Sequence, residues 1–416
     1  MKITDIETHE ACVPLQSWNA KAIRYYQDTN FSYRTIYVLK TDNGLEGLAE
    51  MSGRERGNEQ EWKDRLVGTN PADWLANPSL PISFAPAIYD LVGKYNDVPA
   101  YKSFGPKVRS RVPVSTWTVS QTPAKMAEEV EHAVEQGYTW LKYHTGHFHN
   151  MIDQTAAMQE VAPTGFRIHY DMNMDSTIDH ILDVIRELQK FPVAGALEDT
   201  LRVHDYTGYK LLRQKSPFQL IYHHMPLFGQ EAVLGPTDSY MLGHAPVGQV
   251  IERAGLFEAL NVPFMMQNVG GNITRAFVAH MSAAMPRATL HHVNATNLWA
   301  EDVVTPVLEV GGGMISVPEE PGLGLTLDRE ALARFTATKP EPLPRALVRI
   351  QYRGMPTIYA HTPLTGLKDQ LGTGPSFLPG YGPGYNLPVD QDFWEDSGTT
   401  DFEDAWDRTA AGPTSL

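Results

Sequence analysis

The sequence predicts an α/β protein built on a closed (β/α) barrel, and three observations carry that reading. From about Arg111 onward, short apolar runs alternate with amphipathic stretches at helical spacing. Seven or eight such units follow one another, enough for a parallel sheet to close on itself. The doubly wound alternative needs a glycine-rich turn after its first strand, and "STWTVSQTP" stands there instead.

The elements before the barrel have a different texture. "KITDIETHEACV" alternates polar and apolar residues and reads as a strand. "YRTIYVLKTDNGLEGLAEM" reads as a hairpin turning at Asp42-Asn43-Gly44. From Trp62 to about Tyr101 the pattern is helical with Pro-marked breaks, and in "APAIYDLVGKY" Ala85, Ile88, Leu91 and Val92 recur at helix spacing.

The barrel series begins with the strand "VPVSTW". Helix "TPAKMAEEVEHAVEQGY" follows, with a Thr cap and Pro at its first position. Strands "TWLKYH", "FRIHYDMN", "AGALEDT", "FQLIYHH", "VPFMMQN" and "ATLHHVN" come next. Helices run through "MIDQTAAMQEVA", "TIDHILDVIRELQKF", "YTGYKLLRQK", "VGQVIERAGLFEAL" and "TRAFVAHMSAAM", with a short element near "SYMLGHA". After about Pro318 the chain becomes rich in Pro, Gly and aromatic residues. It reads there as a tail that wraps the surface or a neighbouring subunit and frays after about Asp407.

Composition narrows the function. Acidic residues number 49 against 34 basic ones, a formal net charge of −15 without any basic run, which argues against a nucleic-acid partner. Cys12 is the only cysteine, so no disulfide framework or cysteine zinc site forms within one chain. No stretch approaches the ~20 apolar residues of a membrane span. These features fit a soluble cytoplasmic protein acting on a small molecule.

Barrel chemistry gathers at the C-terminal ends of the strands. There stand Asp171, Glu198 and the pair His223-His224, with 27 residues from Asp171 to Glu198 and 26 from Glu198 to His224. One barrel unit separates each, so all three point into one mouth and form a candidate divalent-cation site. Oxygen ligands suit Mg2+, and the nitrogen admits Mn2+ or Zn2+. His223 and His224 alternate in direction, so one faces the interior and the other the helices.

Here the chain resembles the enolase superfamily, in its mandelate racemase/muconate lactonizing enzyme group. The likeness runs from Met1 to about Phe335. It rests on the opening "MKITDIE", the hairpin "VLKTDNGLEGLAEM", "YDLVGKYNDVPAYKSFGPKVRSRVPV", the strand "GYTWLKYH", the one-unit ligand spacing and "VPEEPGLGLTLD". The resemblance implies a modified (β/α)7β barrel over residues 113–318, capped by an α+β domain from residues 1–112 and completed by residues 319–416. It also implies an Mg2+-type metal on Asp171, Glu198 and His224, stabilising the enediolate formed when a base removes a proton beside a carboxylate. Together with the aromatic tail it favours a homo-oligomer.

Three departures from the family pattern shape the expected reaction. The second strand usually carries Lys-X-Lys and here reads Lys142-Tyr143-His144. The third ligand is usually acidic and here is His224. The seventh-strand His and its sixth-strand Asp are also missing, with Gln267 or Asn268 and His244 in their places. Racemisation of a 2-hydroxy acid, which needs groups on both faces of the carbon, is thereby disfavoured, and a racemase/epimerase or cycloisomerase of the same group stands as the alternative enzyme. Dehydration of a sugar acid to a 2-keto-3-deoxy acid is the reaction expected. His144 is the base, suited by an unperturbed pKa of about 6.5, and Lys142 binds the substrate carboxylate or tunes His144. A degenerate barrel that only binds a small acid is the non-enzymatic alternative.

Further residues are expected at the substrate. Asn173 and Tyr143 flank the strand-end groups. Trp18, Arg24 and Tyr25 lie in a loop read as covering the mouth, and His292 ends the last strand. His147 and His149 fall in the loop beyond His144. A nitrogen-rich zinc site of amidohydrolase type would want its His-X-His on the first strand, whereas this cluster follows the second.

Overall fold

The computed structural model describes residues 1–415 except 28, 56, 147, 175, 225–234 and 362–384. The chain opens with the strands β1 (Ile3–Cys12), β2 (Tyr33–Thr41) and β3 (Glu46–Ser52), an antiparallel sheet in that order. The β2–β3 turn is the one expected, and Gly44 takes it at φ +82, a backbone region that costs glycine least. Helices α1 (Ala20–Gln27), α2 (Glu59–Leu66) and α3 (Ala85–Tyr95) complete the N-terminal layer. Helix α3 is buried along nearly its whole length because it lies between β3 and the barrel.

Eight parallel strands form the barrel: β4 (Arg111–Val119), β5 (Trp140–His144), β6 (Arg167–Asp171), β7 (Ala194–Glu198), β8 (Gln219–Tyr222), β9 (Ser239–Gly243), β10 (Phe264–Gln267) and β11 (His292–Val293). Each pairs with the next, and β11 pairs with β4 to close the ring. Helices α4 (Pro123–Glu135), α5 (Met151–Val161), α6 (Ile178–Leu188), α7 (Tyr206–Lys215), α8 (Val247–Ala259) and α9 (Asn272–Ala284) follow β4, β5, β6, β7, β9 and β10. Strands covered on both faces need apolar residues on both, hence the continuous runs in the sequence. Leu141, Tyr143, Ile168, Tyr170 and Leu197, on the helix side, are all buried.

Beyond the barrel come short strands β12 (Val304–Thr305), β13 (Met314–Ser316) and β14 (Thr326–Leu327), then helix α10 (Arg329–Ala337), which packs on β1. Strand β13 adds antiparallel to the start of β4.

Residues 346–415 correct the reading of a fraying tail. Strands β15 (Ala346–Tyr352), β16 (Ile358–His361), β17 (Val389–Glu395) and β18 (Thr414–Ser415) form an antiparallel sheet in the order β17-β15-β16-β18, with helix α11 (Thr400–Thr409) between β17 and β18. Each face of this sheet has its own cover. Leu347 meets Phe402 and Ala405 of α11, while Val348, Ile350, Ile358 and Val389 cluster with Tyr25 and Phe148. The alternation along β15 and β17 is what permits two buried faces. The "GTGPSFLPGYGPG" part of the stretch lies outside the described residues.

Cap and barrel are tied by a buried ion cluster. Arg34 of β2 donates to Glu50 of β3 (Nε–Oε2 2.9 Å) and to Asp302 (Nη2–Oδ1 3.1 Å). Both carboxylates also accept from the first turn of α9: Glu50 from Thr274 N at 2.7 Å and Asp302 from Asn272 N at 2.9 Å. Anions at a helix N-terminus satisfy donors that have no partner inside the helix. Gly271, just before α9, is required by the fit, since a Cβ there would overlap the Arg34 guanidinium.

Among the described residues no helix is long and apolar enough to cross a membrane. Arg34→Ala would strand two buried carboxylates, so it should cost about 3–5 kcal/mol in a urea unfolding curve. A loss below about 1 kcal/mol would mean the cluster does not hold cap to barrel.

Candidate active site

The C-terminal ends of β5, β6 and β7 place three functional side chains in one row. His144 pairs in register with Asp171, and Asp171 with Glu198. Residues two positions earlier on the same strands face the same interior, which puts Lys142 and His169 directly beneath. Lys142, wholly buried, extends its ammonium into the row. Its Nζ lies 3.0 Å from Asp171 Oδ2, 2.8 Å from Glu198 Oε2 and 2.5 Å from Gln267 Oε1 of β10. His144 Nε2 stands 3.2 Å from Asp171 Oδ2, and its ring meets Trp117 edge-on at 5.0 Å.

The charges set one another. Burial and mutual repulsion push the Asp171 carboxyl up, but Lys142 and His144 outweigh them and hold it below its ordinary range. Burial likewise raises Glu198, and Lys142, His169 and His223 overcome that to hold it well below. For Lys142, burial favours the neutral amine, while Asp171 and Glu198 favour the ammonium and win.

Two histidines complete the cluster, and the first of them, His169, is one that sequence reasoning missed. His169 Nε2 lies 2.8 Å from Glu198 Oε2, and its Nδ1 is 3.0 Å from His291 Nε2. Burial depresses the pKa of both rings, favouring the neutral imidazoles, and His169 and His291 share one hydrogen bond. The alternation that pairs Lys142 with His144 pairs His169 with Asp171, and this signal was present in "FRIHYD". The second is His223, the member of the His-His pair that faces the interior. Its Nδ1 lies 3.0 Å from Glu198 Oε1 with the side chain buried.

His224, the expected third ligand, is turned away. Its Nδ1 binds Asp199 Oδ2 at 2.5 Å and its side chain is half exposed. The reason is backbone geometry. Asp199, at φ +45, accepts from the backbone N–H of His223 (2.9 Å) and His224 (3.3 Å), so the chain after β8 wraps round its carboxylate.

Other expected contacts are also corrected. Tyr143 faces the helices, as the strand period requires, and donates to Gln154 Oε1 of α5 at 3.0 Å. Trp18 stacks on His132 of α4 at 3.9 Å. Arg24 donates to the Glu341 carbonyl, and Tyr25 donates to Glu395 at 3.0 Å while stacking on Phe393 of β17. These N-terminal residues bind the C-terminal sheet, the segment leading into it or a barrel helix. His292 lies outside the barrel wall, accepting from Met266 N (2.9 Å) and donating to Ser282 of α9 (3.0 Å), and burial pushes its pKa down to about 3. Asn173 does sit beside the row: its N–H donates to Asp171 Oδ1 at 3.1 Å. His149 bridges Ser120 and the Gln391 carbonyl of β17. His147 lies outside the described residues.

A closed parallel barrel with an α+β cap and ionisable groups gathered at its strand ends has the architecture of a barrel enzyme. The enolase C-terminal domain-like family matches residues 125–331. A D-xylonate dehydratase of Haloferax volcanii is 28% identical over 354 residues, 73% of this chain and 85% of that one. A muconate cycloisomerase of Acinetobacter lwoffii is 23% identical over 269 residues, 60% of this chain and 68% of that one. The solved N-succinyl Arg/Lys racemase of Bacillus cereus superposes with a TM-score of 0.65 at 17% identity, over 81% of this chain and 99% of that one. The chain belongs to the enolase superfamily, in its mandelate racemase/muconate lactonizing enzyme group.

Members of this superfamily are enzymes that use Mg2+. The residues here do not fit an all-carboxylate Mg2+ seat. Among the described residues, Asp171 and Glu198 are the carboxylates that converge, the Lys142 ammonium lies between them, and the position expected to be the third acidic one is a histidine. Among the described residues, the group whose donor atoms stand at metal-ligand spacing is Asp199, His223 and His224.

Asp171 and Glu198 titrate below their unfolded values of about 4. Their stabilising contribution is therefore complete above about pH 4 and lost as pH falls through the folded values. Lys142→Met removes the cation and leaves burial to raise both carboxyls. The acid-unfolding midpoint, followed by circular dichroism from pH 7 to pH 2, should then move to higher pH. An unshifted acid limb would contradict the assigned charge balance.

Proposed function

We propose that the protein dehydrates a sugar acid to a 2-keto-3-deoxy acid, with His144 as the acid/base group. The observation that carries this reading is the one-sidedness of the row among the described residues. His144 ends β5 beside Asp171, while the facing position at the end of β10 is Gln267, an amide that is neither acid nor base near neutral pH, held on Lys142. Chemistry from one face suits a reaction whose proton leaves and returns on the same side. The similarity to a D-xylonate dehydratase points the same way.

In this reading the substrate carboxylate is drawn toward the Lys142 ammonium at the centre of the mouth. His144, neutral, takes the α-proton, and the C–H electrons move into the carboxylate. The resulting imidazolium gives that proton to the hydroxyl on the next carbon, which departs as water. The enol left behind becomes the 2-keto acid. Asp171, 3.2 Å from His144 Nε2, steadies the imidazolium that forms between the two steps. Positive charge near the developing enediolate is the main electrostatic requirement, and the reading includes the superfamily's need for a divalent cation.

Incubating the protein with a panel of sugar acids should release 2-keto acids from at least one, detected by semicarbazide absorbance. His144→Asn should lower that rate by about 10²–10⁴-fold without changing the melting temperature. Full activity in His144→Asn would remove His144 from the chemistry. Exchange of the α-proton with inversion at carbon 2, read by NMR in D2O, would instead favour an epimerase.

A further inference from the structure

We propose that the chain seats its divalent cation on Asp199, His223 and His224, one position past the carboxylate row, and that the ion is a nitrogen-preferring metal such as Zn2+ or Co2+ rather than Mg2+. The inference rests on the cation requirement above but not on any choice of substrate.

The donors are already gathered. One oxygen of Asp199 and one nitrogen from each imidazole lie within 4.8 Å of one another. The backbone holds them there. Asp199 adopts φ +45, unfavourable for a residue with a side chain, and from that position accepts both backbone N–H groups of the His-His pair. Strain kept in place by surrounding bonds is a feature of functional sites. The rings stand 4.1 Å apart, and that of His244, at the end of β9, lies 5.6 Å from His223. His223 Nδ1, buried and 3.0 Å from Glu198 Oε1, has no aligned hydrogen-bond partner.

The donor set decides the metal. Mg2+ prefers six oxygens and binds imidazole poorly, whereas two imidazoles and one carboxylate form a set typical of zinc with an open position. The arrangement also leaves that position accessible, because Asp199 is fully buried while the His224 side chain is half exposed. The alternative seat between Asp171 and Glu198 would place a dication against the Lys142 ammonium, 3.0 Å and 2.8 Å from those carboxylates. Through His223 the proposed ion would still adjoin the Glu198 end of the row.

The test uses the full chain stripped with EDTA and titrated with Co2+, read by visible d–d absorption, alongside thermal shifts with Mg2+, Mn2+ and Zn2+. Co2+ should develop bands of nitrogen ligation, and Zn2+ should raise the melting temperature at concentrations where Mg2+ does not. His224→Ala, at an exposed side chain that folding should tolerate, should weaken Co2+ binding by about tenfold or more; Asp171→Asn should leave it within about twofold. Loss of Co2+ binding in Asp171→Asn with retention in His224→Ala would overturn the assignment and return the ion to the carboxylate row. No stabilisation by any of these ions would overturn it differently, by removing the cation requirement itself.

Discussion

The Lys142 ammonium is the charge on which the barrel mouth depends. Two fully buried carboxylates side by side would repel each other and lose their hydration, and neither loss is tolerable without a cation between them. Lys142 supplies that cation from the layer below, reaching Asp171 and Glu198 at once. Gln267 fixes the ammonium from the far side of the barrel, and His169 and His223 stand 2.8 Å and 3.0 Å from the two oxygens of Glu198. Strands β5, β6, β7, β8 and β10 are thereby joined through one electrostatic knot. The register of the barrel and the chemistry of its mouth become the same constraint.

Much of this mouth was legible because barrels repeat. One unit between Asp171 and Glu198, and a period of two between Lys142 and His144, required only counting. The same counting assigns Tyr143 to the helices and His223, in phase with Ile221, to the interior. The misassignment of Tyr143 arose where residue type outweighed parity. His169 was passed over because a histidine inside an apolar run looks like core, and only its neighbours Glu198 and His291 reveal its role.

What the sequence did not display is contact between distant segments. Trp18, Arg24 and Tyr25 were assigned to the mouth by analogy with mobile loops. Tyr25 instead meets Glu395 and Phe393, some 370 residues away along the chain. No local pattern announces such a partner. The Arg34–Glu50–Asp302 cluster is similar: its residues are ordinary charges in the sequence, and their burial together is a property of the assembled cap and barrel.

The C-terminal sheet does more than cover the molecule. Asn150 and Met151, at the start of α5, donate their backbone N–H groups to Val389 and Tyr385, and the Tyr385 hydroxyl donates to the Met172 carbonyl. The segments that follow β5 and β6 are thus anchored by residues made more than 200 positions later. During synthesis the barrel strands leave the ribosome well before their anchors do. Closing so long an interval has an entropic cost that grows only slowly with its length, so the contacts can form, but they form late. The contacts that pin the segments after β5 and β6 are therefore among the last the chain can make. Truncation before Tyr385 would remove them all.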